Sequence, residues 1–402
     1  MKLLAIAPEP FFSPRGTPLS VYYRSLVTAE LGVAVDLLTY GQGADVDIPG
    51  VRIIRIPTFG RATVKVGPSL FKAFLDIFVL VWAIGLLIRN RYDVVHAHEE
   101  TVFFCRFLKP VFRFKLVYDM HSILSQQLTN FSFTKSRLLV GTFRRLEDGC
   151  LAKADAVITI SPALAEYAEP RVKDPAHHFL IENTLFDEVR LREQASCRAQ
   201  RAGAAGNDAQ LADTATAFRG AAERPVVLYA GTFESYQGID LLLRGFAEAR
   251  AQQFDAFLLL LGGQPAQIEQ YKALAAQLGL DDDCLFAGQR SRAEAQEATR
   301  EAAVLTSPRN TGSNTPLKIY EQLASGVPLV ATRIPSHTQV LTDAECVLVD
   351  PDPQSMATGL GKALRGGPAI EERTRAARRL YEEKYSRRIY VDKMRRLLDE
   401  LR

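Results

Sequence analysis

The sequence predicts an α/β protein built as two Rossmann-like domains that face each other across a cleft. Three observations predict it. Short apolar runs alternate with longer helical patterns along nearly the whole chain. The alternation breaks off once, in a polar stretch around 188–224, and then restarts with a second set of similar size. Such alternation marks βαβ units and parallel sheets, and 402 residues exceed one ordinary domain. Ligands of such sheets sit beyond the carboxyl ends of the strands.

In the first half the apolar runs place strands at 3–7, 34–39, 51–56, 93–97, 115–118, 156–160 and 179–181. A loop punctuated by glycine and proline, 10–18, follows the first strand directly. The opening run, Leu3 to Ala7, stops at Pro8-Glu9-Pro10 and is too short for a secretory apolar region, so it reads as a buried strand and the protein as cytoplasmic. The segment 188–224 is rich in Ala, Arg, Gln, Asp and Gly without sustained apolar periodicity. It reads as a linker or surface insertion, helical in part around 187–201. The second half places strands at 226–230, 257–261, 284–287, 303–306, 328–331 and 347–349, followed by a charged helical tail. The expected domains are therefore 1–187 and 225–374, with a terminal helix at about 375–402 free to pack back on the first.

Composition narrows the function. A net charge of +3 over 402 residues gives no concentrated basic stripe for nucleic acid. The five cysteines, Cys105, Cys150, Cys197, Cys284 and Cys346, are scattered, which suits a reducing compartment and offers no structural zinc. No Asp-x-Asp metal pair occurs in a suitable loop. Asp281–Asp283 and His177–His178 both precede strands, at the wrong end for a cleft; the first reads as a turn and the second as surface. No metal is expected. Residues 77–88 carry no charged or polar side chain and lie between Lys72/Asp76 and Arg89/Arg91. A bilayer span needs about 20 such residues, so a core helix is the expectation. A membrane-surface helix anchored by the flanking cations is the alternative, and with it a peripheral membrane contact.

The densest chemical signal is 307–328, SPRNTGSNTPLKIYEQLASGVP, which reads strand, polar loop, helix, turn, strand. Thr315 suits the N-cap, Pro316 the first helical position and Gly326 the position just past the helix end. The loop 310–315 then points free N–H groups at whatever lies above the helix start, an anion site by construction. Lys318 and Glu321 share one edge of the helix, while Leu317, Tyr320, Leu323 and Ala324 form the inward face. A cation near phosphates and a carboxylate one turn deeper suit a nucleoside diphosphate, the carboxylate taking ribose hydroxyls; a solvated Lys–Glu pair is the plain alternative.

This segment, with Gly231-Thr-Phe-Glu-Ser-Tyr-Gln-Gly238 and Leu260-Leu-Gly-Gly263, resembles the donor half of glycosyltransferase family 4, retaining enzymes of the GT-B fold. The likeness extends over nearly the whole chain, strongest from 226 to about 349. It implies a metal-independent enzyme that moves a hexose-type sugar from a nucleoside-diphosphate sugar to a sugar or lipid-linked hydroxyl acceptor, in polysaccharide, glycolipid or glycoconjugate synthesis, with no cofactor beyond the donor. It also implies a donor site made by Gly16, Gly231, Thr232, Gly263, Ser313, Asn314, Thr315, Leu317 and Glu321. Glu321 falls on the family's second glutamate, which holds the ribose, and Ser313 stands where the first glutamate contacts the donor sugar. His121, at the end of a strand, falls beside the reacting carbon in that resemblance. Read from the residues themselves, Asp119 orients the site or caps a turn, and His96, His98, Glu99 and Glu100, which also follow a strand end, line the acceptor side or are solvated loop residues.

The family's Arg and Lys in the glycine turn, which neutralise the leaving diphosphate, are replaced here by Thr232 and Gln237. Charge on a departing phosphate must be met by preorganised groups. Arg309 and Lys318, with the helix N-terminus, are the expected substitutes, and together with His121 they form the expected catalytic set. A non-hydrolysing nucleotide-sugar epimerase and a two-lobed binding protein without catalysis are the alternative readings.

Overall fold

The computed structural model describes residues 1–13, 16–58, 64, 69–126, 137–183, 224–312 and 314–402, the side chains of 137–140 excepted. Ser313, Cys197, Pro14 and Arg15, the segment 188–223 and the helix expected around 187–201 lie outside the described residues. The chain divides into two compact units, Met1–Gln194 with Arg387–Arg402, and Ala195–Ser386.

Unit 1 is a seven-stranded parallel sheet in the order β3-β2-β1-β4-β5-β6-β7. Its strands are β1 (Lys2–Ala7), β2 (Ala34–Thr39), β3 (Val51–Arg55), β4 (Val94–His98), β5 (Lys115–Met120), β6 (Ala156–Thr159) and β7 (His178–Leu180). The central strands are apolar without alternation because helices cover both faces. One face packs α1 (Gly16–Glu30) and the terminal helix α13 (Arg387–Glu400), whose Tyr390, Met394, Leu397 and Leu398 join the core of β1 and β2. The other packs α2 (Leu70–Arg89), α3 (Thr101–Phe112), α4 (Arg137–Leu151) and α5 (Pro162–Ala168). The expected loop 10–18 is shorter than predicted: Gly16 already begins α1.

The expectation of a core helix at 77–88 holds for one face only. Leu75, Val79, Ala83 and Leu87, four apart in sequence, are buried on the sheet, whereas Ile77, Val81 and Ile88 face solvent. His178 corrects a second reading. It is not a surface residue: its side chain is 5% exposed, and its Nε2 lies 2.9 Å from Thr159 Oγ1.

Unit 2 is a six-stranded parallel sheet, β10-β9-β8-β11-β12-β13, from β8 (Val226–Ala230), β9 (Phe257–Leu261), β10 (Cys284–Gly288), β11 (Val304–Ser307), β12 (Leu329–Thr332) and β13 (Val347–Val349). One face packs α6 (Ile239–Ala251), α7 (Pro265–Gln277) and α11 (Pro353–Arg365). The other packs α8 (Arg292–Glu301), α9 (Lys318–Ser325) and α12 (Pro368–Leu380). A short helix, α10 (Pro335–Thr338), follows β12. At the amino edge of this sheet, Asp283 is held by Arg224 at 2.6 Å and Arg250 at 2.9 Å, a structural role for the triple-aspartate turn. Cys105, Cys150, Cys284 and Cys346 are free thiols.

Candidate functional site

In both sheets the strand order reverses beside the first strand of the unit, between β1 and β4 and between β8 and β11. That reversal opens a crevice at the carboxyl ends, where ligands of such sheets bind. Of the predicted residues, His96, His98, Asp119 and His121 stand at or just past the carboxyl ends of β4 and β5 in unit 1, and Gly231, Thr232, Gly263 and Arg309 follow β8, β9 and β11 in unit 2.

In unit 2 the loops after β8, β9 and β11 meet backbone to backbone. A Cβ on Gly262 would stand 1.8 Å from the Gly231 carbonyl oxygen, and one on Gly238 would stand 2.0 Å from that of Pro308. Only glycine permits such approach. Asn310 ties the β11 loop to the β8 turn, its backbone N–H donating to Tyr236 O at 3.1 Å and its side-chain amide to Ser235 O at 3.2 Å. Gly263 packs against the Phe233 ring.

Lys318 opens α9, and its Nζ lies 3.9 Å from the centre of the Tyr229 ring with no hydrogen-bond partner among the described residues. Burial, and secondarily the Arg309 charge, lower this ammonium to a pKa of about 7. Arg309 stacks 4.9 Å from the Tyr236 ring and donates through Nη1 to Asn314 O at 2.9 Å. Burial also pulls its pKa below the usual guanidinium range. Tyr229 is held in turn by donating its hydroxyl to Thr232 O at 2.7 Å. Gln237 Nε2 reaches Thr232 Oγ1 at 3.4 Å, so the two residues that depart from the resemblance touch each other.

The expected start and inward face of this helix are corrected, and the alternative of a Lys318–Glu321 pair is not seen. Thr315 is not the N-cap and Pro316 is not in the first turn. The helix starts at Lys318, with Leu317 at the cap position and no side-chain cap. Its first turn is instead held by Ile319 N–H to Pro316 O and Tyr320 N–H to Leu317 O. The inward face is Ile319, Tyr320 and Leu323 with Gln322; Leu317 and Ala324 are half-buried. Glu321 does not pair with Lys318. Its Oε1 accepts from Arg292 Nη2 of α8 at 3.0 Å, and both side chains stay partly exposed. Gly326 does terminate the helix, at φ 77°.

A buried histidine that sequence reasoning missed lies beneath the loop. His337 donates from Nδ1 to Thr332 O at 2.8 Å and accepts at Nε2 from Ser307 Oγ at 2.9 Å. Burial holds it at a pKa of about 4, so it is the neutral tautomer with its proton on Nδ1. The Thr332 hydroxyl donates to Arg309 O. The imidazole thus fixes the carboxyl ends of β11 and β12 and, through Thr332, the backbone of Arg309. Its position just after a strand end was the same signal that singled out His121.

In unit 1 the carboxyl ends of β4 and β5 bring His96, His98, Asp119 and His121 together. Asp119 is wholly buried and accepts from Arg24 Nε at 2.9 Å and His96 Nε2 at 3.0 Å. Burial alone would raise this carboxyl; Arg24, His121 and the His96 hydrogen bond outweigh it and hold it well below the usual carboxylate range. The His96 and His98 rings stack at 4.5 Å, and His98 Nδ1 lies 3.2 Å from His121 Nε2. Burial lowers His121 to a pKa of about 4, so its imidazole is neutral at ordinary pH. Arg24 also donates to Ile181 O at 2.7 Å and Tyr390 OH at 2.9 Å. This arginine was missed as well, although one charged residue inside the apolar run Val21-Tyr-Tyr-Arg-Ser-Leu-Val27 is itself a sign of a buried pair.

His96, His98 and Asp119 offer ligand atoms within 4.8 Å of one another, as a metal site would. The donor set does not suit an ion: Asp119 Oδ2 is already taken by the Arg24 guanidinium, whose fixed charge opposes a cation there. Beside them, Glu99 accepts from Ser122 Oγ at 3.0 Å, and Glu100 pairs with Lys72 at 2.5 Å. Burial, then the Glu100 charge, raise Glu99 to a pKa of about 8.

Two family models match the chain: "Glycosyl transferases group 1" over residues 215–383 and "Glycosyl transferase 4-like domain" over 22–184. Among curated proteins it is similar to a D-inositol 3-phosphate glycosyltransferase of Acidothermus cellulolyticus, 32% identical over 156 residues. That match spans 36% of this chain and 35% of the relative. The enzyme of the same name from Corynebacterium efficiens is 25% identical over 358 residues, 83% of this chain and 78% of the relative. Among solved structures, sucrose-phosphate synthase from Thermosynechococcus elongatus superposes with a TM-score of 0.70 at 20% identity, covering 100% of this chain and 98% of the other. Anabaena HepE in complex with UDP gives 0.69 at 16%, covering 99% of each. At these identities the structures establish the fold, two parallel-sheet α/β domains of the GT-B type.

Proposed function

The chain is a glycosyltransferase of group 1, with the 4-like domain at its amino end, and from that premise we propose that it moves a sugar from a nucleoside-diphosphate sugar to a hydroxyl acceptor with retained anomeric configuration. The observation that carries the donor reading is the pair Lys318 and Arg309. Two cations are packed side by side in unit 2, and the lysine has no hydrogen-bond partner among the described residues. A buried, uncompensated cation is costly, so a bound anion that compensates it is favoured there. A diphosphate supplies two adjacent negative groups for Lys318 and Arg309 to meet.

Further geometry supports the same reading. A Cβ at Gly231 would stand 3.5 Å from Lys318 Nζ, so the lysine reaches the turn in which Thr232 and Gln237 replace the family's basic pair. It is placed to take over their charge. The half-exposed Glu321 carboxylate is the proposed ribose partner, and Asn314, Thr315 and Leu317 the proposed loop contacts. UDP is the nucleotide to try first, since HepE is seen with UDP and with UDP-glucose.

In the reaction proposed, the C–O bond between the anomeric carbon and the diphosphate breaks, the diphosphate takes the electron pair, and the acceptor oxygen bonds to the same face. The acceptor proton passes to the leaving phosphate oxygen. Lys318 and Arg309 stabilise the charge that develops there. No metal is assigned to this step. For His121 we assign a hydrogen bond to the transferring sugar, a role its neutral imidazole can serve. The acceptor belongs to polysaccharide, glycolipid or glycoconjugate synthesis, and the protein is assigned to the cytoplasm.

Calorimetric titration with UDP, GDP, ADP and TDP, on wild type and Lys318→Ala, tests the donor site. One nucleotide should bind, and the variant should lose at least tenfold in affinity, the equivalent of about 1.4 kcal/mol. Failure of all four to bind wild type, or equal binding by the variant, would overturn it.

A further inference from the structure

The outer helical layer of unit 1 leaves an apolar face uncovered. While α2 buries Leu75, Val79, Ala83 and Leu87, it turns Leu70, Phe74, Ile77, Val81 and Ile88 to solvent, with exposures of 81, 43, 60, 55 and 70%. Its neighbour on the same sheet face, α3, adds Phe107 and Val111, 62 and 69% exposed. A helix on the outside of a soluble α/β domain ordinarily carries polar residues on this stripe. Here no charged residue occurs between Asp76 and Arg89, and Asp76 is engaged by the Tyr40 hydroxyl at 2.5 Å. A patch of this kind marks an interaction surface.

Charge selects the occupant. The carboxyl ends of α2 and α3 lead into Arg89 and Arg91, and into Arg113 and Lys115, all four exposed. Asp93, at the same edge, is taken by the backbone N–H of Lys2 at 2.7 Å. An apolar stripe bordered on one side by cations is the pattern of an interfacial helix on an anionic bilayer. In a two-fold pairing through this patch, the apolar stripe would bring the basic border with it, which makes a second copy the poorer occupant.

We propose that the outer face of α2 and α3 docks unit 1 on a membrane surface containing anionic lipid. The helix lies in the interface and does not cross it, since Leu75, Val79 and Ala83 are fully buried against the sheet and a spanning helix would have to give up that packing. Docking holds the enzyme where a lipid-borne acceptor or product would be found, and it stands or falls independently of the donor site.

Co-sedimentation of the full chain with phosphatidylcholine vesicles, and with phosphatidylcholine–phosphatidylglycerol vesicles, tests this. Wild type should pellet with the anionic vesicles and release as salt rises. Ile77→Glu/Val81→Glu should abolish binding, and Phe107→Glu/Val111→Glu, on the separate helix, should do the same, with circular dichroism and nucleotide binding unchanged in both. Arg89→Gln/Arg91→Gln should weaken it by about 25-fold, about fivefold for each arginine. The proposal is overturned if wild type ignores anionic vesicles or if both glutamate variants bind as wild type does. It is equally overturned if the lipid-free chain sediments as a dimer that Ile77→Glu/Val81→Glu dissolves, which would give the face to a second copy.

Discussion

Asp119 and Lys318 solve opposite problems of burial. Asp119 is a buried charge met on one oxygen: Arg24 and His96 both donate to Oδ2, Oδ1 has no hydrogen-bond partner among the described residues, and Arg24 is pinned from behind by Tyr390 and Ile181. Such a pair contributes little net stability by forming, yet breaking one side is severe because it strands the other charge. Arg24→Met should therefore lower the stability of the protein by about 3–5 kcal/mol in urea unfolding. Arg24→Met/Asp119→Leu should recover much of that loss. A single variant as stable as wild type would show that the ion pair does not hold the histidines in place. Lys318, by contrast, has no hydrogen-bond partner among the described residues, and it sits against the Tyr229 ring and beside the Arg309 charge. Groups left so are kept for a ligand more readily than for the fold.

At the scale of elements, the glycine contacts between loops set the geometry of the anion site. Gly238 has φ 71° and sits against the Pro308 carbonyl, while Gly279 has φ 69° with nothing near its Cβ direction. Gly238→Ala should cost about 1–3 kcal/mol of stability and weaken nucleotide binding, because Pro308 must shift and Arg309 follows it. Gly279→Ala carries the backbone strain alone and should leave nucleotide affinity intact. Equal effects on affinity would mean that the Gly238 contact does not position Arg309. The strands were legible in the sequence to within one or two residues, because fully buried parallel strands are short unbroken apolar runs bounded by turns, as at 226–230 and 257–261. The start of α9 was not. Thr315 and Pro316 spell a standard cap, but the loop is held by tertiary contacts through Arg309 and Asn310, and these delay the helix by two residues. The α2 helix was half legible: its composition signalled burial, and only the fold shows which face the sheet covers. Arg24, His337 and Arg292 were missed because their partners, Asp119, Ser307 with Thr332, and Glu321, lie 29 to 95 residues away or on other elements.

For the whole molecule, the two units carry different electrostatic instruments on similar sheets. Unit 2 presents Lys318 and Arg309, whose pKa values burial lowers, and unit 1 presents a neutral His121 beside the buried, ionised Asp119. The proposed transfer asks unit 2 for positive charge where the negative charge of the departing diphosphate develops. The central claim is that Lys318 meets the diphosphate, and proton linkage tests it most directly. In the free protein its pKa is about 7, depressed from 10.5 by burial and Arg309, so near pH 8 the amine is mostly neutral. A bound diphosphate favours the ammonium form and must raise that value. UDP binding should therefore draw in a proton, and affinity should fall as pH rises through and above 7. The measurement is calorimetric titration with UDP at pH 8 in two buffers of different ionisation enthalpy, on wild type and Lys318→Met. The account predicts proton uptake in wild type that the variant lacks, together with weaker binding by the variant. The same uptake in both proteins, or undiminished binding by Lys318→Met, would contradict it.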